Sequence, residues 1–352
     1  MTNATRRLCV GALLATAVAA GGTARAQTTP LSIAECAAIA ADLERLACYD
    51  RASGRATAVP PTPDKPAPEA PPAVAEKPAP LTAAVGTPGS MIDAAWKFDD
   101  SPRYVIDLYN PNYFLIARYS DNVNNAPFTP IFQAAQQAPQ PLDSTEAKFQ
   151  ISFKVRLWTT DDRRWGVWAA YTQQSQWQVY NAELSRPFRE TNYMPELFVS
   201  YRPGLEFGGF HWRLLNVGFN HQSNGRAEPL SRSWNRLFAE FGIERGNFAL
   251  LAKAWYRIPE SAGKDDNPDI TDYYGYAGLN AIYKWRDHSF AFMARGNIGT
   301  GKGAAQFTWT SPRFLGPLRG YVQAFTGYGE SMIDYNWNQS TIGVGIALND
   351  AL

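Results

Sequence analysis

Between positions 220 and 236 the run NHQSNGRAEPLSRSWNR places a histidine, a serine and an asparagine within the compass of one hairpin. If the segment before the turn is a strand, His221 and Ser223 share a face with backbones ~6.6–7 Å apart, a gap that an imidazole and a hydroxymethyl group can close. A hairpin centred near Glu228 sets position 221 opposite position 235, where cross-strand Cβ atoms approach to ~5 Å. His221 then stands in the middle of a Ser-His-Asn row. Nucleophilic acyl chemistry needs such a row: a base beside the hydroxyl, and a third group that fixes the imidazole tautomer. Asn235 can orient the ring, but as a neutral group it cannot offset imidazolium charge as a carboxylate would. An H-x-S pair by itself is common, and a lone histidine at a strand end is usually an ordinary loop or interface residue, so the row takes its meaning from the surface that carries it.

That surface is read from alternation. On the entering strand Leu215, Val217, Phe219, His221 and Ser223 share one face, and Leu214, Asn216, Gly218, Asn220 and Gln222 the other. On the returning strand Asn235 continues the row of Leu237, Ala239, Phe241 and Ile243. All three reactive residues therefore extend an apolar face. The same pattern recurs in Phe248, Leu250, Ala252, Ala254, Tyr256 and Ile258, with Lys253 and Arg257 between them, and in Ile342, Val344, Ile346 and Leu348. Twelve strand-like segments are expected, at 113–120, 148–158, 166–177, 196–202, 212–223, 233–243, 248–258, 274–285, 289–297, 304–311, 319–328 and 340–348. Alternation alone fits a soluble sandwich, apolar face inward, or a membrane barrel, apolar face outward. An export signal, aromatic residues at strand ends and long polar loops at alternate connections favour the barrel, which needs ~10 residues per tilted crossing.

The leader carries Arg6 and Arg7, a short apolar stretch and the small-x-small site Ala24-Arg25-Ala26, so residues 1–26 are expected to be a signal peptide. Residues 27–54 form a small helical element whose Cys36 and Cys48, an even pair in an exported chain, favour a local disulfide. One continuous helix would hold their Cα atoms ~18 Å apart, beyond the ~7 Å that a disulfide spans, so two helices and a turn are required. Residues 55–95, rich in Pro and Ala, read as a disordered linker, and residues 96–352 as the barrel. A net charge of +1 with scattered Lys and Arg excludes a nucleic-acid role, and no stretch after the signal is apolar enough for a membrane helix.

The runs Asn220 through Arg226 and Ser231 through Arg236, together with Pro187-Phe188-Arg189-Glu190-Thr191-Asn192-Tyr193, Asp265-Asp266-Asn267-Pro268-Asp269-Ile270, Gly327-Tyr328-Gly329-Glu330-Ser331 and Asp334-Tyr335-Asn336, resemble the signatures of the outer-membrane phospholipase A family. The resemblance spans roughly 104–352 and leaves the helical element and linker outside. It implies an all-β fold: a twelve-stranded antiparallel transmembrane β-barrel of the bacterial outer membrane. It further implies calcium-dependent hydrolysis of phospholipid and lysophospholipid acyl esters by a homodimer. Ser223 would be nucleophile, His221 general base and acid, and Asn235 the orienting group, with the oxyanion held by the Gly225 amide and by water on the ion. The Arg226 carbonyl and the Ser231 hydroxyl would bind Ca²⁺, with Ser185 contributing across the dimer. Glu228, standing where the family pattern has Asp, and Asp266 match a second calcium site, and Gln173 matches a polar residue at the dimer interface. Arg186 departs from the pattern by setting a charge beside Ser185.

The competing expectation is a passive porin-like or structural barrel with an inert H-x-S pair, in which Ser185 and Ser231 are ordinary loop serines and 265–269 a solvated acidic turn. Trp158, Trp165, Trp168, Trp177 and Trp212 are expected to be girdle or packing aromatics. His211 and His288 are assigned no role.

Overall fold

A computed structural model describes residues 32–53, 86–136, 138 and 140–352; the expected signal peptide and most of the expected linker lie outside them. Two units are distinguished, residues 1–77 and 78–352. In the first, helix α1 (Ile33–Ala37) is capped by Ser32, which pairs reciprocally with Glu35, and α2 (Asp42–Ala52) follows after a turn. Folding back brings the Cys36 and Cys48 Cα atoms to 5.4 Å, and the two cysteines form a disulfide.

The second unit is built on twelve long strands: β1 (Tyr113–Ser120), β2 (Thr145–Thr159), β3 (Trp165–Trp177), β4 (Phe188–Tyr201), β5 (Phe210–Ser223), β6 (Ser233–Arg245), β7 (Phe248–Arg257), β8 (Ala277–Trp285), β9 (His288–Asn297), β10 (Lys302–Leu315), β11 (Leu318–Tyr328) and β12 (Asn338–Ala347). Each pairs antiparallel with its neighbours, and β12 pairs with β1 to close the ring. Ile106–Leu108 continues the line of β1 along β2, and Leu205–Phe207 adds a short strand to the end of β5. All twelve expected strands are present. The strand expected at 196 begins eight residues earlier, at Phe188, and the one expected at 274 begins at Ala277, after a short helix, Ile270–Tyr274.

The sense of the alternation excludes a soluble sandwich. Arg118, Glu146, Lys148, Lys154, Arg156, Glu190, Glu196, Asn216 and Asn220 are buried in the lumen, whereas Ile116, Ile151, Leu157, Leu197, Val217, Leu237, Phe292, Ile342 and Val344 are exposed outside. Charges inside and aliphatics outside suit a barrel solvated by lipid.

The lumen is braced at both ends. Near the short turns, α3 (Met91–Trp96) packs Ile92 and Trp96, with Phe98, against Trp168, Phe198, Leu214 and Phe238. Ser90 caps this helix, Asp93 receives Arg202 Nε at 2.8 Å, and the Ile92 amide donates to Glu244 at 3.1 Å. The linker therefore does not run to residue 95 as expected: residues 86–95 belong to the barrel unit. One and a half helical turns beside a Pro-rich run give too little periodicity to register, and burial inside the ring, not propensity, stabilises them. Toward the long loops Glu330 accepts from Lys148 at 2.9 Å and from Arg118, Glu146 accepts from Arg118 and Arg189, and Asp334 accepts from Arg189 at 2.8 Å. The signature acids Glu330 and Asp334 are thus lattice members that hold the barrel's loop end together. Between the two braces lies a cavity of about 370 Å³, lined by side chains including Gln150, Gln222, Lys253 and Gln323.

Candidate active site

Strands β5 and β6 set His221 opposite Asn235 and Ser223 opposite Ser233, the register expected from the sequence. The outward side chains of His221 and Asn235 meet: Nδ1 lies 2.9 Å from Asn235 Oδ1. Both are half-buried, as is Ser223. The intervening residues point into the lumen, where Gln222 accepts from Trp234 Nε1 at 3.0 Å and from Arg236 at 3.1 Å. This lumenal packing fixes the pitch of both strands and so the aim of the outer row. The Ser223 hydroxyl makes no hydrogen bond among the described residues.

Asn224 shapes the 224–232 loop. Its Oδ1 accepts the Arg232 amide at 3.0 Å and the Arg226 amide at 3.3 Å, its Nδ2 donates to the Leu230 carbonyl at 2.7 Å, and its own amide donates to Arg232 O at 3.0 Å. Gly225 follows at φ +63°, and a Cβ there would stand 3.0 Å from the Tyr193 ring. A left-handed residue against an aromatic face requires glycine. Tyr193 is opposite Ser223 on β4, and Gln173 is opposite Tyr193 on β3. Gln173, Tyr193, Ser223 and Ser233 therefore cross four strands at one level of the outer wall. Gln173 is held by Tyr171 Oη at 3.0 Å and donates to Ser175 Oγ at 3.4 Å, beginning a polar patch in an otherwise apolar exterior.

The oxygen groups expected to hold calcium are partly assembled. The Arg226 carbonyl accepts no hydrogen bond among the described residues, while its guanidinium is tied to the Arg189 carbonyl at 2.8 Å. Ser231 Oγ donates to Asp266 Oδ2 at 2.5 Å, and Ser233 Oγ reaches the same oxygen at 3.5 Å. Asp266 thus touches a residue expected in one calcium site while belonging to the other. Glu228 lies near Asp266, whose carboxyl group holds the Glu228 carboxyl above its usual range. The rest of the 265–269 cluster is structural: Asp265 pairs with Arg257, Asn267 Oδ1 receives the Ser233 amide at 2.9 Å, and Asp269 accepts from Tyr335 at 2.7 Å. Ser185 is exposed on the β3–β4 loop, left-handed at φ +58° with Arg186 at +55°, and no hydrogen bond joins it to the 224–232 loop.

Three residues here escape sequence reasoning. Asn224 and Tyr193 lie inside quoted motifs, but their contacts depend on the loop and the neighbouring strand. Glu260, on the segment after β7, accepts Asn235 Nδ2 at 3.0 Å, and no spacing rule links positions 235 and 260. Of the tryptophans, Trp168 is fully buried in the lumen and Trp158 and Trp165 are exposed outside. His211 pairs with Glu206 at 2.7 Å and His288 accepts from Trp309 at 3.1 Å, both away from the row.

The fold and the row define a class: an outer-membrane barrel with a candidate hydrolytic site on its lipid-facing wall. The family model described as Phospholipase A1 matches residues 92–348. Phospholipase A1 of Escherichia coli K12 is 39% identical over 263 residues, 74% of this chain and 87% of that protein. A putative phospholipase A1 of Neisseria meningitidis serogroup B is 39% identical over 278 residues, 76% of this chain and 72% of that protein. Among solved structures, outer membrane phospholipase A from Escherichia coli superposes with a TM-score of 0.65 at 38% identity, covering 70% of this chain and 100% of that one. The outer membrane phospholipase of Salmonella typhi, solved as a dimer with bound calcium, superposes at 0.67 and 35% identity, covering 76% of this chain and 100% of that one. The chain belongs to the phospholipase A1 family. It is an enzyme of the bacterial outer membrane that hydrolyses phospholipid acyl esters, which sets aside the passive barrel.

Proposed function

We propose that Ser223, His221 and Asn235 carry out this hydrolysis on the outer wall, with calcium, in a homodimer. The observation that carries the reading is the 2.9 Å contact of His221 Nδ1 with Asn235 Oδ1, on the lipid-facing side and in one row with Ser223. Asn235 Oδ1 accepts the proton on Nδ1, which leaves the Nε2 lone pair for Ser223. Ser223 Oγ bonds to the ester carbonyl carbon while its proton passes to Nε2. That proton then goes to the departing alcohol oxygen as the ester C–O bond breaks, and water repeats the sequence on the acyl-serine. The Gly225 amide stabilises the charge that develops on the carbonyl oxygen.

The residues present fit a hard cation. Among the described residues the Arg226 carbonyl accepts no hydrogen bond, Ser231 supplies a hydroxyl, and Asp266 and Glu228 bring carboxylates to the same loop. Calcium held there supplies positive charge that stabilises the transition state. Glu228 and Asp266 are the candidates for a second ion, with Asp266 shared through Ser231. The Salmonella typhi protein, a dimer with bound calcium, supports assembly in pairs here, with Ser185 offered across the interface and Gln173 within it. A ridge of side chains on a convex barrel cannot enclose an acyl chain, and a second wall would do so.

In mixed micelles, Ser223→Ala and calcium chelation should each reduce phospholipid acyl hydrolysis by at least ~10³-fold. Full activity in either condition would refute the mechanism. A sulfonyl fluoride should label Ser223 only while calcium is present.

A further inference from the structure

We infer that Glu260 is a positioning residue of the catalytic row, and that it supplies the negative charge which a neutral Asn235 lacks. The inference rests on the assignment of Ser223, His221 and Asn235 as the catalytic row. Asn235 Nδ2 donates to Glu260 Oε1 at 3.0 Å while Asn235 Oδ1 meets His221 Nδ1 at 2.9 Å. One amide thus joins the imidazole to a carboxylate. The carboxylate is delivered deliberately by the fold: past the end of β7, the Ile258 amide donates to the Asn235 carbonyl at 2.9 Å, pinning the Ile258-Pro259-Glu260 segment beside the residue it serves. Glu260 enters no ion pair among the described residues, whereas the neighbouring Arg257 is committed to Asp265, so its charge is not cancelled by a basic partner.

The chemistry follows from what a carboxylate can do. An ionised carboxylate only accepts hydrogen bonds. It therefore fixes the Asn235 amide with NH₂ toward Glu260 and oxygen toward His221, and that oxygen in turn selects the tautomer with hydrogen on Nδ1. Nε2 is then left with its lone pair free to serve as the base. When His221 becomes imidazolium in the transition state, the Glu260 charge polarises the intervening amide and strengthens the Nδ1–H···Oδ1 bond. Glu260 touches neither substrate nor reacting atoms. Its loss should lower kcat and leave KM unchanged, because the charge on the ring exists in the transition state and not in the bound ground state.

The test uses the full-length protein in mixed micelles with calcium and a diacyl phosphatidylcholine, each variant first checked for a folded barrel by heat-modifiable gel migration. Glu260→Ala should lower kcat about tenfold to a hundredfold with KM unchanged. Glu260→Gln, which keeps an acceptor but not the charge, should lose less. Asn235→Asp separates positioning from mere structure. With Glu260 present it sets two carboxylates against one another, and activity should fall; adding Glu260→Gln gives the new aspartate a donor and should restore activity toward wild type. Unchanged kcat in both Glu260 variants, or an Asn235→Asp defect indifferent to residue 260, would overturn the inference while leaving the row itself standing if Ser223→Ala is inactive. An active Ser223→Ala would overturn both readings.

Discussion

At the scale of single residues, the site depends on conformations that only particular side chains permit. Gly225 combines φ +63° with a ring face 3.0 Å from where its Cβ would be, so Gly225→Ala meets both backbone strain and a clash. Strain of this kind costs about 1–3 kcal/mol. We expect kcat to fall about 5- to 100-fold, given that 1.4 kcal/mol is about tenfold in rate, with the barrel intact. Adding Tyr193→Ala should recover only part of the loss, since it removes the clash but not the strain; stopped-assay kinetics on the two variants checks this. Asn235→Ala should be more damaging than Glu260→Ala, because it removes the partner of His221 as well as the link to the carboxylate.

At the scale of elements, the β5–β6 hairpin joins two rigid strands by a loop that has one organiser. Asn224 makes four hydrogen bonds across 224–232, and the Arg226 carbonyl and Ser231 hydroxyl are held in place by that folding. Residues that orient ligands typically influence metal affinity by 10–100-fold. Asn224→Ala should therefore raise the calcium concentration needed for half-maximal activity at least ~10-fold, with little change in the rate at saturating calcium. Amide exchange in the loop should rise in the same variant while β5 and β6 stay protected, and uniform loss of protection would contradict this picture. The two strands were legible in the sequence because alternation and the distance from Glu228 fix both face and register. The loop was not, since its folding depends on one amide side chain reaching three backbone groups.

At the scale of the whole molecule, the barrel is a polar interior inside an apolar exterior, and the acids and bases at its loop end work as one network. Arg189 binds Glu146 and Asp334 together. Arg189→Met leaves two buried carboxylates without their shared partner, a change that costs about 3–5 kcal/mol. The urea midpoint for unfolding in detergent should drop, while hydrolysis under native conditions should be affected less than by Ser223→Ala. A midpoint equal to wild type would show that the lattice contributes no net stability. Assembly belongs to the same scale: Gln173 lies level with Ser223 on the outer wall, so Gln173→Leu should weaken calcium-promoted crosslinking and activity together, whereas a purely structural Gln173 would leave crosslinking unchanged.

The sequence by itself determined what is local and periodic. Twelve alternating segments, the apolar row that carries His221, Ser223 and Asn235, and the pairing of 221 with 235 all follow from a side-chain period of two and a turn of known centre. The quoted motifs then named the family. What tertiary structure decided depends on contacts between distant segments. Alternation is the same for a sandwich and a barrel, and only ring closure of β12 on β1 placed Arg118, Lys148 and Glu330 inside. The short helix at Met91–Trp96 is stable because the ring surrounds it. Asp266 and Glu260 reach Ser231 and Asn235 across separations of 35 and 25 residues, which no periodicity records. The Ser-His-Asn row was therefore readable as a pattern, but the carboxylate behind it became visible only when the segment after β7 was folded against the hairpin.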